Sequence, residues 1–544
     1  MKSTMMAFPL LAPSMLERAG KLFPRVEIMS SLPNGDRHRY TICDLLRRSR
    51  RLANALCDAG IRKGDRVGTL LWNGHEHLEA YFGIPAAGAV VHTLSVRQHP
   101  DELSYIMNQA EDRFLIVEDV LLDIWRQVNS RVKCERVFVV NRGSSLPEGT
   151  ESYEEFLAQS VDNLVRSDIE EGDAAAICYT SGTTGRPKGV TYSHRALVLH
   201  SLASSMPDHF NISRHDVVLP VVPMYHVNAW GLPYSAILNG CKQVLPGRNL
   251  QPHNLLDLMQ EERVTLVAGV PTIWIGILNA LEKQPGRWNL SNKLRILIGG
   301  AAAPESMFRR FDKLGIHAIQ AWGMTETSPV ATVCSTKPGM ETWPEEELYK
   351  LRARQGLPLP FVDLRAVGDE GSEVPWDGQT SGELQVRGPW ISGSYFGNEQ
   401  PDKWTEEGWF RTGDVVTIDS EGYVKITDRL KDLIKSGGEW ISSVDLENAL
   451  VGHAAVREAA VIAVPHPKWQ ERPLALVVLK ENMTVEPGEV RSFLERTVAP
   501  WQVPDAFVFV PELPHTSTGK LLKGKLRQDY SQWKWDTEPS PVVS

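Results

Sequence analysis

The sequence predicts an α/β protein in two parts: a large multi-layer N-terminal domain of β-sheets flanked by helices, and a small mobile α+β C-terminal domain. Three observations carry that expectation. Short apolar runs alternate with amphipathic helical stretches over the first four-fifths of the chain, the texture changes after about residue 428, and 544 residues are too many for one compact core.

Taken in order, residues 66–71, 113–117, 136–140, 174–178, 217–222, 264–269 and 294–298 are apolar runs of strand length. Helical spacing fills 77–86 and 254–262 between them. This alternation favours parallel strands with crossover helices, which gather sites at the strand carboxyl ends. Beyond residue 428, strands are expected at 458–464, 473–479 and 506–510, and helices at 443–451 and 489–497. The charged stretch Asp428-Arg429-Leu430-Lys431-Asp432 joins the parts, so the expected domains are 1–428 and 429–544. Residues 532–544 mix tryptophan with Pro and Ser and are expected to fray.

Composition narrows the function classes. Hydrophobic content of 42% and charged content of 23% are ordinary for a globular enzyme, and a net charge of −9 argues against a nucleic-acid partner. No apolar run is long enough for a transmembrane segment, and Pro9 and Pro13 break the apolar start that Lys2 opens, so no secretory signal is read there. Cys43, Cys57, Cys134, Cys178, Cys241 and Cys334 are scattered. They read as small buried hydrophobes in a reducing, cytoplasmic setting, not as a metal site or a disulfide frame.

The most informative segment is Tyr179-Thr180-Ser181-Gly182-Thr183-Thr184-Gly185-Arg186-Pro187-Lys188-Gly189-Val190, with four Ser/Thr hydroxyls, three glycines and two cations. It follows an apolar strand, so backbone N–H groups and hydroxyls can face an anion while the glycines permit close approach. The spacing of Gly182 and Lys188 is not that of GxxxxGK[ST]. The string resembles the phosphate-binding signature of the adenylate-forming enzymes, which include acyl-CoA synthetases, luciferases and peptide-synthetase adenylation domains. Four further segments match that family in order: Gly323-Met324-Thr325-Glu326-Thr327, Arg411-Thr412-Gly413-Asp414, Lys435-Ser436-Gly437-Gly438-Glu439-Trp440 and Pro514-His515-Thr516-Ser517-Thr518-Gly519-Lys520. The resemblance spans roughly residues 30 to 530 and is closest to medium- and long-chain fatty acyl-CoA synthetases.

The resemblance implies roles residue by residue. Thr180, Ser181, Gly182, Thr183, Thr184 and Lys188 would hold the ATP phosphates, and Thr325 would touch the α-phosphate. Glu326, with Thr180, would ligate Mg²⁺, a hard cation that prefers such oxygens. Gly300, Ala301, Ala302, Gln320, Ala321, Trp322, Gly323 and Met324 would line the adenine site, Asp414 would accept the ribose hydroxyls, and Arg429 would also bind the nucleotide. Lys520 would bridge carboxylate and α-phosphate as a mobile point charge. His226, Trp230, Gly299 and Gly323 fall at the acyl tunnel, Trp230 as its gate. The i,i+4 spacing of His226 and Trp230 predicts one face of a helical turn. Lys435, Gly437, Gly438, Glu439 and Trp440 would border the coenzyme A path, with Lys431 as the hinge.

The implied reaction joins a carboxylic acid to coenzyme A at the expense of ATP, through an acyl-adenylate, in a cytoplasmic homodimer. A ligase for 3-methylmercaptopropionate is the alternative within the family. Two readings stand further off. A peptide-synthetase role wants a carrier domain after Lys520, and a non-catalytic nucleotide-binding homologue has no need of Lys520, Glu326 and Asp414 together.

Overall fold

The computed structural model describes residues 1, 3–143, 145–163, 168–180, 186–437, 439–515 and 521–535. Backbone packing divides the chain into two compact units. The first comprises Met1–Ala301, Met307–Leu364 and Val386–Arg411, and the second Ala302–Ser306, Arg365–Gln385 and Thr412–Ser544. This division differs from a cut at 428, because the strands on both sides of the Arg411-Thr412-Gly413-Asp414 segment belong to one sheet.

The first unit holds two sheets. Seven strands lie in the order Glu151–Ser152, Arg136–Val140, Asp112–Glu118, Arg66–Leu70, Val90–Thr93, Ala174–Tyr179, Gly189–Ser193. All neighbours are parallel except the last pair. The second sheet runs Leu357–Pro358, Val330–Val333, His317–Gly323, Arg295–Ile298, Leu266–Gly269, Val217–Pro220, Lys242–Leu245, Glu27–Ser31, Arg37–Thr41, and it too is parallel through its middle. Each apolar run singled out in the sequence becomes one of these parallel strands. Valine, isoleucine and leucine without alternation suit a strand covered on both faces.

The second unit shows the opposite pattern. Its five-stranded sheet pairs Val456–His466 antiparallel with Gln470–Leu479, beside Ile434–Ser436, Glu439–Ile441 and Ala506–Phe509. Side chains alternate between two cores. Ala459, Val461, Ala475 and Val477 join the helices Ser443–Val451 and Pro487–Leu494 on one face, while Ala460, Ile462, Leu474 and Leu476 meet Leu513 and Leu526 on the other. A four-stranded sheet, in the order Asp363–Val367, Gly382–Arg387, Phe410–Ile418, Val424–Arg429, precedes it.

A buried charge network fastens this unit. Lys523 donates to Glu447 at 2.7 Å and to Ser443 Oγ at 2.6 Å. Ser443 donates in turn to Asp428 Oδ2 at 2.6 Å, from both its N–H and its hydroxyl. Asp428 and Ser443 are fully enclosed and Lys523 is 8% exposed, so the ammonium is the counter-charge that keeps two carboxylates inside.

Two expectations are corrected. Cys43 is exposed and only Cys178, Cys241 and Cys334 are buried, because Cys43 falls on the outer side of its helix. The tail is not loose as far as Trp535, whose indole N–H donates to Pro465 O at 2.7 Å. Among the described residues, no helix is long and apolar enough to cross a membrane.

Candidate active site

The strands Ala174–Tyr179 and Gly189–Ser193, at the edge of the seven-stranded sheet, flank the segment expected to bind phosphate. Tyr179 pairs with Gly189, Thr180 N–H donates to Lys188 O at 2.9 Å, and Lys188 N–H donates back to Thr180 Oγ1 at 3.1 Å. These bonds tie Thr180 to the Lys188 backbone. Ser181, Gly182, Thr183 and Thr184 lie outside the described residues, as do Gly438 and Lys520.

From there, two contacts reach the Gly323-to-Thr327 segment. Tyr192 donates its hydroxyl to Thr325 O at 2.7 Å. Lys188 Nζ lies 5.7 Å from the centroid of Tyr395, and the Tyr395 hydroxyl donates to Glu326 Oε1 at 2.5 Å. Glu326 is 5% exposed and its backbone oxygen accepts from Ser392 N–H at 2.8 Å. Burial, then the Glu326 charge, pushes the Tyr395 phenol above its ordinary range, so it stays a donor. Tyr395 is a contact of Glu326 and Lys188 that sequence reasoning missed. A lone tyrosine 69 residues beyond Glu326 carries no motif, and only the fold brings the two together.

Gly323 is held by backbone: a Cβ there would lie 1.9 Å from Pro329 O, so only glycine fits. Trp322, Ala321 and Gln320 are buried on the preceding strand, and Met324 N–H donates to Thr327 Oγ1 at 2.8 Å. Gln320 Nε2 donates to Ala301 O at 3.3 Å, and Gly300 takes a left-handed φ of 80°. Ala302 falls in the second unit.

Trp230 and Gly299 meet. A Cβ on Gly299 would lie 3.0 Å from Trp230 Cη2 and 3.1 Å from Ala321 O, so the missing side chain is what seats the indole. The turn that carries Trp230 overturns the expectation of an ordinary helix start. Val227, Asn228, Ala229, Trp230 and Gly231 have φ of 47°, 50°, 49°, 58° and 73°, a left-handed turn leaving His226 in extended backbone. The i,i+4 spacing therefore does not place His226 and Trp230 on one face of a right-handed helix. Spacing is blind to handedness, and only Asn228 and Gly231 are residues that enter this region readily.

In the second unit, Asp414 is 1% exposed and pairs with Arg429 at 2.5 Å. Lys431 follows in a turn. Lys435 Nζ stands 5.4 Å from the Trp440 ring, Glu439 is exposed, and Gly437, at φ 62°, is covered by the Trp469 ring, which a Cβ would approach to 3.0 Å.

The donors present fit a magnesium ion. Glu326 offers a carboxylate and Thr180 a hydroxyl, all oxygen. Among the described residues no cluster of three or more His, Cys, Asp and Glu is placed to cage a metal.

The AMP-binding enzyme family matches residues 16–396, and the AMP-binding enzyme C-terminal domain matches residues 445–520. The chain belongs to the AMP-binding enzymes of the adenylate-forming superfamily. Within that class it is 50% identical to a long-chain-fatty-acid–CoA ligase of Thermus thermophilus, over 98% of this chain and 97% of that one. It is 44% identical to a 3-methylmercaptopropionyl-CoA ligase of Ruegeria pomeroyi, over 97% and 99%. An ATP-bound MatB from Rhodopseudomonas palustris superposes with a TM-score of 0.81 at 27% identity, over 96% of this chain and 99% of that one.

Proposed function

We propose that the protein is an AMP-forming acid–thiol ligase. A carboxylic acid and ATP give an acyl-adenylate and diphosphate, and coenzyme A then displaces AMP to give an acyl-CoA. The observation that carries this reading is the convergence of Lys188 and Glu326 on the ring and hydroxyl of Tyr395, above the foot of the phosphate loop. It occurs in a chain half identical to a curated CoA ligase.

A carboxylate is a poor acyl donor because its oxide leaving group is poor; adenylation splits one hard step into two easier ones. Lys188 and Thr180 bind and orient the phosphates, and Thr325 stands at the α-phosphate. Bound through Glu326 and Thr180, Mg²⁺ would neutralise charge that builds on the departing diphosphate. Asp414, oriented by Arg429, takes the ribose hydroxyls, and Lys520 meets the carboxylate in the first half-reaction. The indole of Trp230, seated on Gly299, closes the acyl channel near His226. The small domain then turns about Lys431, bringing Gly437 and Gly438, with Lys435, Glu439 and Trp440, to the thiol's path for the second half-reaction. No protein nucleophile is required; catalysis is positioning and charge stabilisation.

A fatty acid is the substrate class favoured, on the 50% identity to the Thermus ligase. The 44% identity to the Ruegeria protein supports the second reading, a short thioether acid. Diphosphate release with a series of saturated acids and 3-methylmercaptopropionate, with and without coenzyme A, tests both. Release without coenzyme A, and acyl-CoA only with it, is the expected result. No release with any acid would remove the ligase reading, and release confined to the thioether acid would replace the fatty acid.

A further inference from the structure

An acid–imidazole pair that the site does not use spans three strands of the seven-stranded sheet. Asp112, on Asp112–Glu118, and His92, on Val90–Thr93, are both fully enclosed, and His92 Nδ1 lies 2.9 and 2.8 Å from the two carboxylate oxygens. The strand Arg66–Leu70 runs between them. Its Gly68 makes the reach feasible, since a Cβ there would lie 3.2 Å from Asp112 Oδ2. An ionised carboxylate only accepts, so Nδ1 carries a proton toward Asp112, and in that tautomer Nε2 is left as the ring's acceptor.

That acceptor is unused. His92 Nε2 is buried with no partner among the described residues, and so is the hydroxyl of Tyr179. The two rings are neighbours, with centroids 5.0 Å apart and planes at 40°. A buried acceptor beside a buried, unspent donor is a costly arrangement unless the two meet in another state of the protein. Tyr179 is also the last residue before the loop. It pairs with Gly189, and a Cβ on Gly189 would lie 3.0 Å from the Tyr179 Cζ, so this ring supports the backbone that carries Lys188.

The geometry points to Asp112 and His92 as positioning residues for nucleotide binding: when nucleotide is held at Lys188, Tyr179 donates its hydroxyl to His92 Nε2, and the ring locks beneath Gly189. The inference rests on the nucleotide reading given above. A purely structural role for the pair would stabilise the sheet without knowing whether Tyr179 has a hydroxyl.

A double-mutant cycle on Mg·ATP binding, measured by calorimetry without acid or coenzyme A, separates the two. Tyr179→Phe should weaken binding about fivefold, the worth of one ordinary hydrogen bond, at unchanged Tm. His92→Phe should weaken it at least as much, and the double variant no further than His92→Phe alone. Additive losses, or a Tyr179→Phe protein that binds like wild type, would overturn the proposal. If His92→Phe does not accumulate, Asp112→Asn takes its place. Its amide can donate to Nδ1 and so convert Nε2 from acceptor to donor, and the same two outcomes decide. Wild-type protein that binds no ATP would instead remove the nucleotide reading itself.

Discussion

At the scale of single residues, Tyr395 joins a cation to a carboxylate through one ring. Its hydroxyl holds Glu326 Oε1 at 2.5 Å while its face lies near Lys188. Tyr395→Phe keeps the ring and frees the carboxylate, so diphosphate release should fall roughly tenfold or more, the usual loss for a hydrogen bond to a charged group. Unchanged release at saturating magnesium would return Tyr395 to packing alone. Glu118 gives a second test at this scale. Burial first, then the charge of Glu76, pushes its carboxyl up to about 7 from an ordinary 4.5. Between those values the folded state keeps the proton while the unfolded state releases it. Stability therefore falls as pH rises through that window and is level above it, by at most about 3 kcal/mol. Denaturant midpoints across the window should show a slope that Glu118→Gln reduces; an identical slope in the variant would mean that other groups carry it. Thr180, Lys188, Thr325 and Glu326 are legible in the sequence because each sits inside a short motif whose chemistry needs it. Tyr395, Asp112 and His92 are not, since their meaning lies in contacts between strands and loops distant along the chain.

At the scale of elements, the sequence reads strands better than turns. Bare apolar runs announce the parallel strands, whereas Val227 to Gly231 reads as a helix start and folds left-handed. Four non-glycine residues in that region cost roughly 1–2 kcal/mol each, so surrounding packing must hold them. Gly231→Ala adds a fifth, and its Cβ would lie 2.8 Å from the buried His200 ring. Thermal unfolding should show a loss of about 1–3 kcal/mol, together with a lower kcat/KM for the acid. An unchanged Tm would mean that the turn relaxes freely. Trp230→Ala leaves the turn but opens the seat on Gly299. Discrimination among acids should then flatten from about 0.8 kcal/mol per methylene, the value for burial in a closed channel. An unaltered chain-length profile would place the gate elsewhere.

At the scale of the whole molecule, the ligase reading requires the small domain to serve two half-reactions in turn. Lys431→Pro fixes one backbone angle near −65° and should spare one half-reaction while abolishing the other. Full turnover in that variant would move the hinge. A change of texture after about residue 428 is legible, but the second unit also takes in most of the four-stranded sheet, which is not, because its strands share the patterning of what precedes them. The buried network in the second unit also bears on synthesis. Lys523 reaches Ser443 from 80 residues downstream. Until the ribosome has made and released that lysine, Asp428 and Glu447 lack the ammonium that accompanies them in the folded unit, and a nascent second unit closes around them only with their carboxyls protonated. This part of the chain therefore completes its charge network only after translation of the helix Lys523–Asp529, however early the sheets of the first unit have formed.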